Sequence, residues 1–404
     1  MSKLLLVVLI AGAGCAADVE GVEVVTQVQV TPTAQLQPPH VVDDPGPVVG
    51  VGQSPPNQCV EGPADADTTG GLDIEALALS RGHSCALLVN KTVRCWGQTL
   101  CGTMGNGVTG HDRGQHAPGE VNDLRNVEQI CAGWDFSCAR RSNGTVACWG
   151  ANSYNQVKRM SSSCAALATD VPRISHAVDL TCGGQHACAR RADGSVWCWG
   201  KGMPQYGTPG RVRLPGKATS VVAGVSSTCA RLASGAVYCW DDSDPPTPAE
   251  VSGFPAGVVD IAVGERFGCA ALEGGQVACW GEGYNGELGG GGPAESATAQ
   301  LVPGLEGVEQ IDANSSRVCA RTDNGALLCW GTVPRSMQAD LLPPRLFTPT
   351  QVTALAPVTD FALGQEHTCA QPGPRLLCCW GRNTYGQVGN NTKRDTPVPT
   401  LVTW

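Results

Sequence analysis

The sequence is short of charge, and shortest of positive charge. Only 16% of its 404 residues are Asp, Glu, Lys or Arg, and the net charge at pH 7 is -9. That balance argues against attraction to nucleic-acid phosphates, which calls for clustered Lys and Arg. No Lys or Arg occurs between Ala16 and Leu72, where Asp18, Glu20, Asp43, Asp44 and Glu61 are among the acidic residues. Nothing periodic organises this stretch, so it cannot bury enough apolar surface to offset its ordering entropy. Residues 15–72 therefore read as a flexible tether. Long apolar runs are missing too: the one at residues 4–11 is too short to span a bilayer permanently. Catalytic signatures are also lacking. There is no Ser, His and acid grouping, no zinc-protease helix and no phosphate-binding loop, since Gly289 to Gly292 has no following Lys. No enzyme activity, cofactor or metal is expected.

What the chain has in abundance is cysteine, 21 residues, with 52 Gly and 28 Pro. A thiol inventory of that size points to export into an oxidising compartment. Lys3, the apolar run and the small residues after it have the order of a signal peptide, residues 1–14. Gly12-Ala13-Gly14-Cys15 resembles a bacterial lipobox, in which Cys15 becomes the lipid-bearing first residue, although Gly12 stands where Leu is usual. Ordinary signal-peptidase cleavage is the alternative. Lipidation leaves 20 Cys, an even number that can all pair. The location expected is the cell envelope or the medium, with membrane contact only through the lipid.

From residue 73 the chain repeats. Seven pairs share one spacing: Cys85 with Cys95, Cys138 with Cys148, Cys188 with Cys198, Cys229 with Cys239, Cys269 with Cys279, Cys319 with Cys329, and Cys369 with Cys379. A Trp follows every second Cys, and starts of successive pairs lie 40 to 53 residues apart, a spacing typical of propeller blades. Apolar residues at Leu77, Ile130, Leu180, Val221, Ile261, Ile311 and Phe361 open strand-like alternation eight residues before each first Cys. Between the paired Cys lie turns such as Ser142-Asn143-Gly144, which suit a three-residue hairpin with Gly in the left-handed position. Counting outward, Cys138 faces Cys148 directly across an antiparallel pair, about 4.5 to 5.5 Å apart and within disulfide reach. Seven such bridges are predicted. Cys59, Cys101, Cys131, Cys164, Cys182 and Cys378 remain, with Cys101–Cys164 and Cys131–Cys182 two of the possible pairings. Cys378 beside Cys379 leaves the last blade's pairing open.

Units such as Val259-Asp260-Ile261-Ala262-Val263-Gly264, then Cys279-Trp280-Gly281 and Tyr284-Asn285-Gly286-Glu287-Leu288-Gly289, resemble the regulator of chromosome condensation repeat. Its cysteine-rich form is similar to that of exported bacterial proteins. The resemblance covers residues 73 to 404 and implies an all-β, seven-bladed β-propeller. It also implies protein binding, as in a bacterial β-lactamase inhibitor with a similar propeller. The eukaryotic namesake's exchange-factor role and basic tail have no counterpart here. Because the chain stops at a repeat lead-in near residues 396 to 401, its two ends are expected to build one blade together.

His83, His186 and His367 share a repeat position and read as structural, hydrogen-bonded within their own blades. Asp241, Asp242 and Asp244 are wrongly spaced for a calcium loop and read as a solvated tip. The seven motif Trp read as wedge filling between blades. Trp134 and Phe136, with Arg266 and Phe267 in a neighbouring region of another blade, are the candidate partner-binding residues, since aromatic and Arg side chains anchor interfaces. The long connections 98 to 118, 151 to 173, 282 to 303 and 332 to 349 complete the expected surface. The reading is a monomeric, non-catalytic binding propeller for a protein partner; the alternative is a carbohydrate-binding, lectin-like propeller for a glycan, and an enzyme inhibitor or a hydrolase on the same fold ranks behind both.

Overall fold

Alternating apolar residues flanked by Gly-containing turns favour short antiparallel strands, and a computed structural model arranges them as seven four-stranded sheets. It describes Cys59 and residues 73–404, apart from 111–113, 159–161, 204–207, 244–245, 293, 338–342, 354, 356 and 374. The signal peptide, Cys15 and the tether other than Cys59 lie outside the described residues. Blade 1 runs from Ile74 to Glu120, blade 2 from Val127 to Asp170, blade 3 from Ala177 to Arg211 and blade 4 from Ala218 to Val251. Blade 5 runs from Val258 to Leu301, blade 6 from Val308 to Gln351 and blade 7 from Asp360 to Leu401. Within each blade the strands follow chain order from the axis outward. Among the described residues no helix is long and apolar enough to cross a membrane.

The fold is an all-β, seven-bladed propeller. Seven apolar clusters each combine residues of two adjacent blades, one cluster per interface. The seventh joins Leu377, Cys379 and Val388 of blade 7 to Leu88 and Trp96 of blade 1, so the ring is closed. The motif Trp are buried in these wedges, as at Trp96, Trp149, Trp199 and Trp330.

Both ends of the chain complete separate blades, contrary to the shared blade expected from the sequence. Asp360–Leu363 is the inner strand of the sheet whose outer strand is Thr396–Leu401, and blade 1 has its own four strands. The seam is held by side chains instead. The Trp96 indole donates to the Gln387 carbonyl at 2.8 Å, Trp96 meets Trp404 edge to face at 6.0 Å, and Arg375 pairs with Asp73 at 2.7 Å. Cys59, upstream of blade 1, is bridged to Cys378 of blade 7 with Cα atoms 6.0 Å apart. Neighbouring residues of a strand point to opposite faces, so Cys379 is left to pair with Cys369.

The paired cysteines stand opposite each other in register, for example Cys138 with Cys148 and Cys188 with Cys198. All seven hairpin pairs are bridged, with Cα separations of 4.0 to 4.1 Å. Each closes a short loop and contributes about 2 to 3 kcal/mol by restricting the unfolded chain. The turn chemistry makes this register: Gly144, at φ 75°, donates to Arg141, whose N–H bonds the Thr145 carbonyl. Cys101–Cys164 staples blade 1 to blade 2, and Cys131–Cys182 staples blade 2 to blade 3. Ten bridges engage the 20 described cysteines, and so many place folding in an oxidising, exported environment.

One column of residues specifies which blade sits beside which. Two positions before the first hairpin Cys stand His83, Phe136, His186, Ser227, Phe267, Arg317 and His367; the position after each holds Ser84, Ser137, Ala187, Thr228, Gly268, Val318 and Thr368. Where the first is His or Arg, it reaches across to the second of the following blade. His83 Nε2 lies 2.7 Å from Ser137 Oγ, His186 Nε2 2.8 Å from Thr228 Oγ1, and His367 Nε2 2.8 Å from Ser84 Oγ across the seam. Where the first residue is Phe136 or Phe267, the next blade presents Ala187 or Val318. These Nε2 bonds run between blades, while His83 also meets Ser80 of its own blade, Nδ1 to Oγ at 2.8 Å; the within-blade expectation holds there and is corrected for His186 and His367. Burial pushes His83 and His186 down to about 4 and His367 to about 3, so all three are neutral at physiological pH. The His186 and His367 rings lie over glycine: a Cβ at Gly183 or Gly364 would overlap them.

Candidate partner-binding face

Antiparallel pairing fixes which connections share a rim. The turn from first to second strand and the loop from third to fourth emerge on one side of the ring; the cystine hairpins emerge on the other. Backbone bonds knit the first set together around the axis: the Trp134 N–H donates to the Gly184 carbonyl, Gly184 to Val225, Glu265 to Ser315 and Gln365 to Ser80. These turns surround a cavity of about 280 Å³ at the mouth of the central channel, lined by Arg81, Trp134, Thr181, Asn314 and the Cys131–Cys182 bridge.

Trp134 is half-buried there, its indole against Gly184 and its Nε1 without a hydrogen-bond partner. Next to it burial raises the carboxyl of Asp135, partly opposed by the charge of Arg81. Arg266 also lies on this rim, in a cleft of about 220 Å³ with Tyr284, Asn285 and Ser315, and its guanidinium bonds Glu282 at 2.9 Å. Arg382–Glu366 on blade 7 is the charge-reversed copy of that pair. Both pairs are at least partly open to solvent and add little stability.

Phe136 and Phe267 do not reach the rim and are corrected here. Phe136 is fully buried and Phe267 is 5% exposed, because both occupy the column that faces the next blade. The long connections also shrink: the windows 151 to 173 and 282 to 303 contain the outer strands Cys164–Asp170 and Ala294–Leu301, and the windows 98 to 118 and 332 to 349 run into the outer strands Gln115–Glu120 and Arg345–Gln351. Asp242 of the acidic tip pairs with Lys201 at 2.8 Å, Asp241 accepts the Ser243 N–H, and Asp244 lies outside the described residues.

Sequence reasoning missed three tyrosines. Tyr154 and Tyr284 are 41% and 55% exposed, and Tyr385 is partly exposed, all in the third-to-fourth strand loops. Each loop is folded on itself: Gln156 Oε1 accepts the Tyr154 N–H at 2.8 Å and Gln387 Oε1 that of Tyr385 at 2.9 Å, while Glu287 accepts from Asn285. The next residue, Val157, Leu288 or Val388, plugs the interface to the following blade. The Tyr is therefore held at a fixed place on the rim, and the recurrence of Tyr four or five residues after the motif Trp was the available signal.

The fold and these loops define a repeat propeller with one aromatic rim. Models of the regulator of chromosome condensation (RCC1) repeat match residues 127–156, 177–207 and 258–287, and a second model of that repeat matches 376–404; the chain carries this repeat. No curated protein matches the chain. Among solved structures it is similar to human WBSCR16, at 21% identity and TM-score 0.65 over 74% of this chain and 87% of that one. Prp20p of Saccharomyces cerevisiae is similar at 18% identity and TM-score 0.67, over 82% of this chain and 87% of that chain. The ectodomain of the Physcomitrella patens receptor kinase CR4 is similar at 21% identity and TM-score 0.52, over 77% and 74%. Likeness at this level concerns the fold.

Proposed function

We propose that this protein is an exported, non-catalytic binding propeller that takes a protein partner on the rim around the channel mouth. The observation that carries the reading is the gathering of Trp134, Arg266, Tyr154, Tyr284 and Tyr385 on one side of the ring. Aromatic and Arg side chains that are rigidly placed and partly exposed are the residue types that dominate interface energies. Prp20p is described with binding properties to Gsp1p and histones, and another structure has Kap60 bound to yeast RCC1 (Prp20); protein binding by a similar propeller supports the same role here. The N-terminal segment is proposed to direct export, with a lipid on Cys15, and the body to work as a monomer.

The test is capture from cell-envelope extracts with the full mature chain and with a Tyr154→Ala/Tyr284→Ala/Arg266→Ala variant. The wild type should retain a protein that the variant loses, with melting temperatures unchanged because all three side chains are on the surface. Equal capture by both refutes the rim assignment. Saturable binding to a glycan array by the same reagent, with no protein captured, points to the lectin-like reading instead.

A further inference from the structure

Blade 6 fills its wedge differently from its neighbours. After blades 2, 5 and 7 the loop beyond the motif Trp places Val157, Leu288 or Val388 in the wedge, and its backbone accepts the next blade's indole N–H. Trp199 bonds Gln156, Trp330 bonds Glu287 and Trp96 bonds Gln387, each at 2.8 Å. Beyond Trp330 the sequence is Gly331-Thr332-Val333-Pro334-Arg335-Ser336-Met337, without that motif, and Val333 and Met337 enter the wedge instead. A cavity of about 260 Å³ remains between blades 6 and 7, walled by Trp330, Trp380, Leu346, Val352, Val398 and Pro399. That is room for roughly nine water-sized groups at about 30 Å³ each.

The lining is mostly apolar, with Thr332, Thr350, Gln351, Thr353 and Thr368 among it and a single charged side chain. Arg317 stands in the column that holds His or Phe in most other blades, is 5% exposed, and lines this space. Its Nη2 donates to Thr368 Oγ1 at 2.9 Å and its Nη1 meets Met337 Sδ at 2.6 Å, while Nε has no partner. None of the ion pairs of the described residues includes it. The nearby acid is Asp312, whose oxygens accept the Ala313 and Leu363 N–H groups, and burial pushes its carboxyl up to about 7. A guanidinium out of water without a counter-anion is costly, and a carboxylate suits its planar fork.

We propose that this inter-blade cavity binds a small amphipathic organic anion, its carboxylate on the Arg317 guanidinium and its apolar body between Trp330 and Trp380. The cavity is lined by none of Trp134, Tyr154, Arg266, Tyr284 and Tyr385, so the proposal does not rest on the rim reading. Straight-chain carboxylates from butanoate to octanoate, phenylacetate, and the matching neutral amides serve as probes, titrated calorimetrically into the full mature chain. At least one acid should bind saturably, and its amide at least tenfold more weakly. Val398→Trp fills the mouth from an exposed position and should weaken the acid at least tenfold; Arg317→Gln should do the same where it folds. Absence of saturable binding by every acid, equal affinity for acid and amide, or undiminished affinity in Val398→Trp overturns the proposal.

Discussion

Replacing His186 by Phe together with Thr228 by Ala would copy into the interface of blades 3 and 4 the apolar pair, Phe136 with Ala187, that already occupies the interface of blades 2 and 3. The single His186→Phe change strands a buried hydroxyl, which costs about 1 to 3 kcal/mol, whereas removing both partners is close to neutral. The pH dependence is the sharper readout. His186 sits at about 4 in the fold against 6.5 in the unfolded chain, chiefly through burial. Between those values the unfolded state binds the extra proton, so the neutral ring's stability is present above about 6.5 and is lost as pH falls toward 4. The full titration is worth about 3 kcal/mol, of which about 2 kcal/mol is lost between pH 7 and pH 5. Buried carboxyls work in the opposite sense over the same range, Asp312 above all, so wild-type stability alone does not isolate the histidine. The difference between wild type and double variant does, because Asp312 is common to both. Urea unfolding at pH 7 and pH 5, disulfides intact and followed by Trp fluorescence, should show the wild type losing about 2 kcal/mol more than the variant. Parallel losses, within about 0.5 kcal/mol, would refute the inter-blade account of the histidines.

Gly183→Ala puts a methyl into the His186 ring and the Gly224 carbonyl, and should cost about 1 to 3 kcal/mol, seen as a lower melting temperature. Peptide mapping without reductant should recover all seven hairpin bridges together with Cys59–Cys378; free thiols at any of them contradict the fold described. Removing Cys59–Cys378 by paired Ser substitutions should lower stability more than removing Cys229–Cys239, since the loop closed spans 319 residues rather than 10. Deleting residues 396 to 404 strips the outer strand of blade 7, buried Val402 and the Trp404 contact, and an unchanged melting point would be inconsistent with that packing.

The blade count, the hairpins and their bridges were legible because strand register converts a fixed Cys spacing into a fixed distance. Cys138 and Cys148 needed only the turn between them. The phase of the repeat was not legible: a lead-in at residues 396 to 401 fits either a shared blade or the outer strand of a complete one. Only the pairing of Thr396–Leu401 with Leu376–Gly381 distinguishes the two. Phe136 and Phe267 were misplaced because each was read as a local neighbour of a surface turn, not along the column that includes His83 and His367. Tyr154, Tyr284 and Tyr385 stood within a motif recognised for its fold, which concealed the surface it presents.

The Cys59–Cys378 bridge also decides how the propeller bears load. A pull on the chain upstream of residue 59 enters blade 7 directly through sulfur, and the first strand of blade 1 feels it only as part of a covalent hoop. Tension applied from the N-terminal side, as the proposed lipid anchor would apply it, therefore cannot unzip the ring at its seam while that bond is intact.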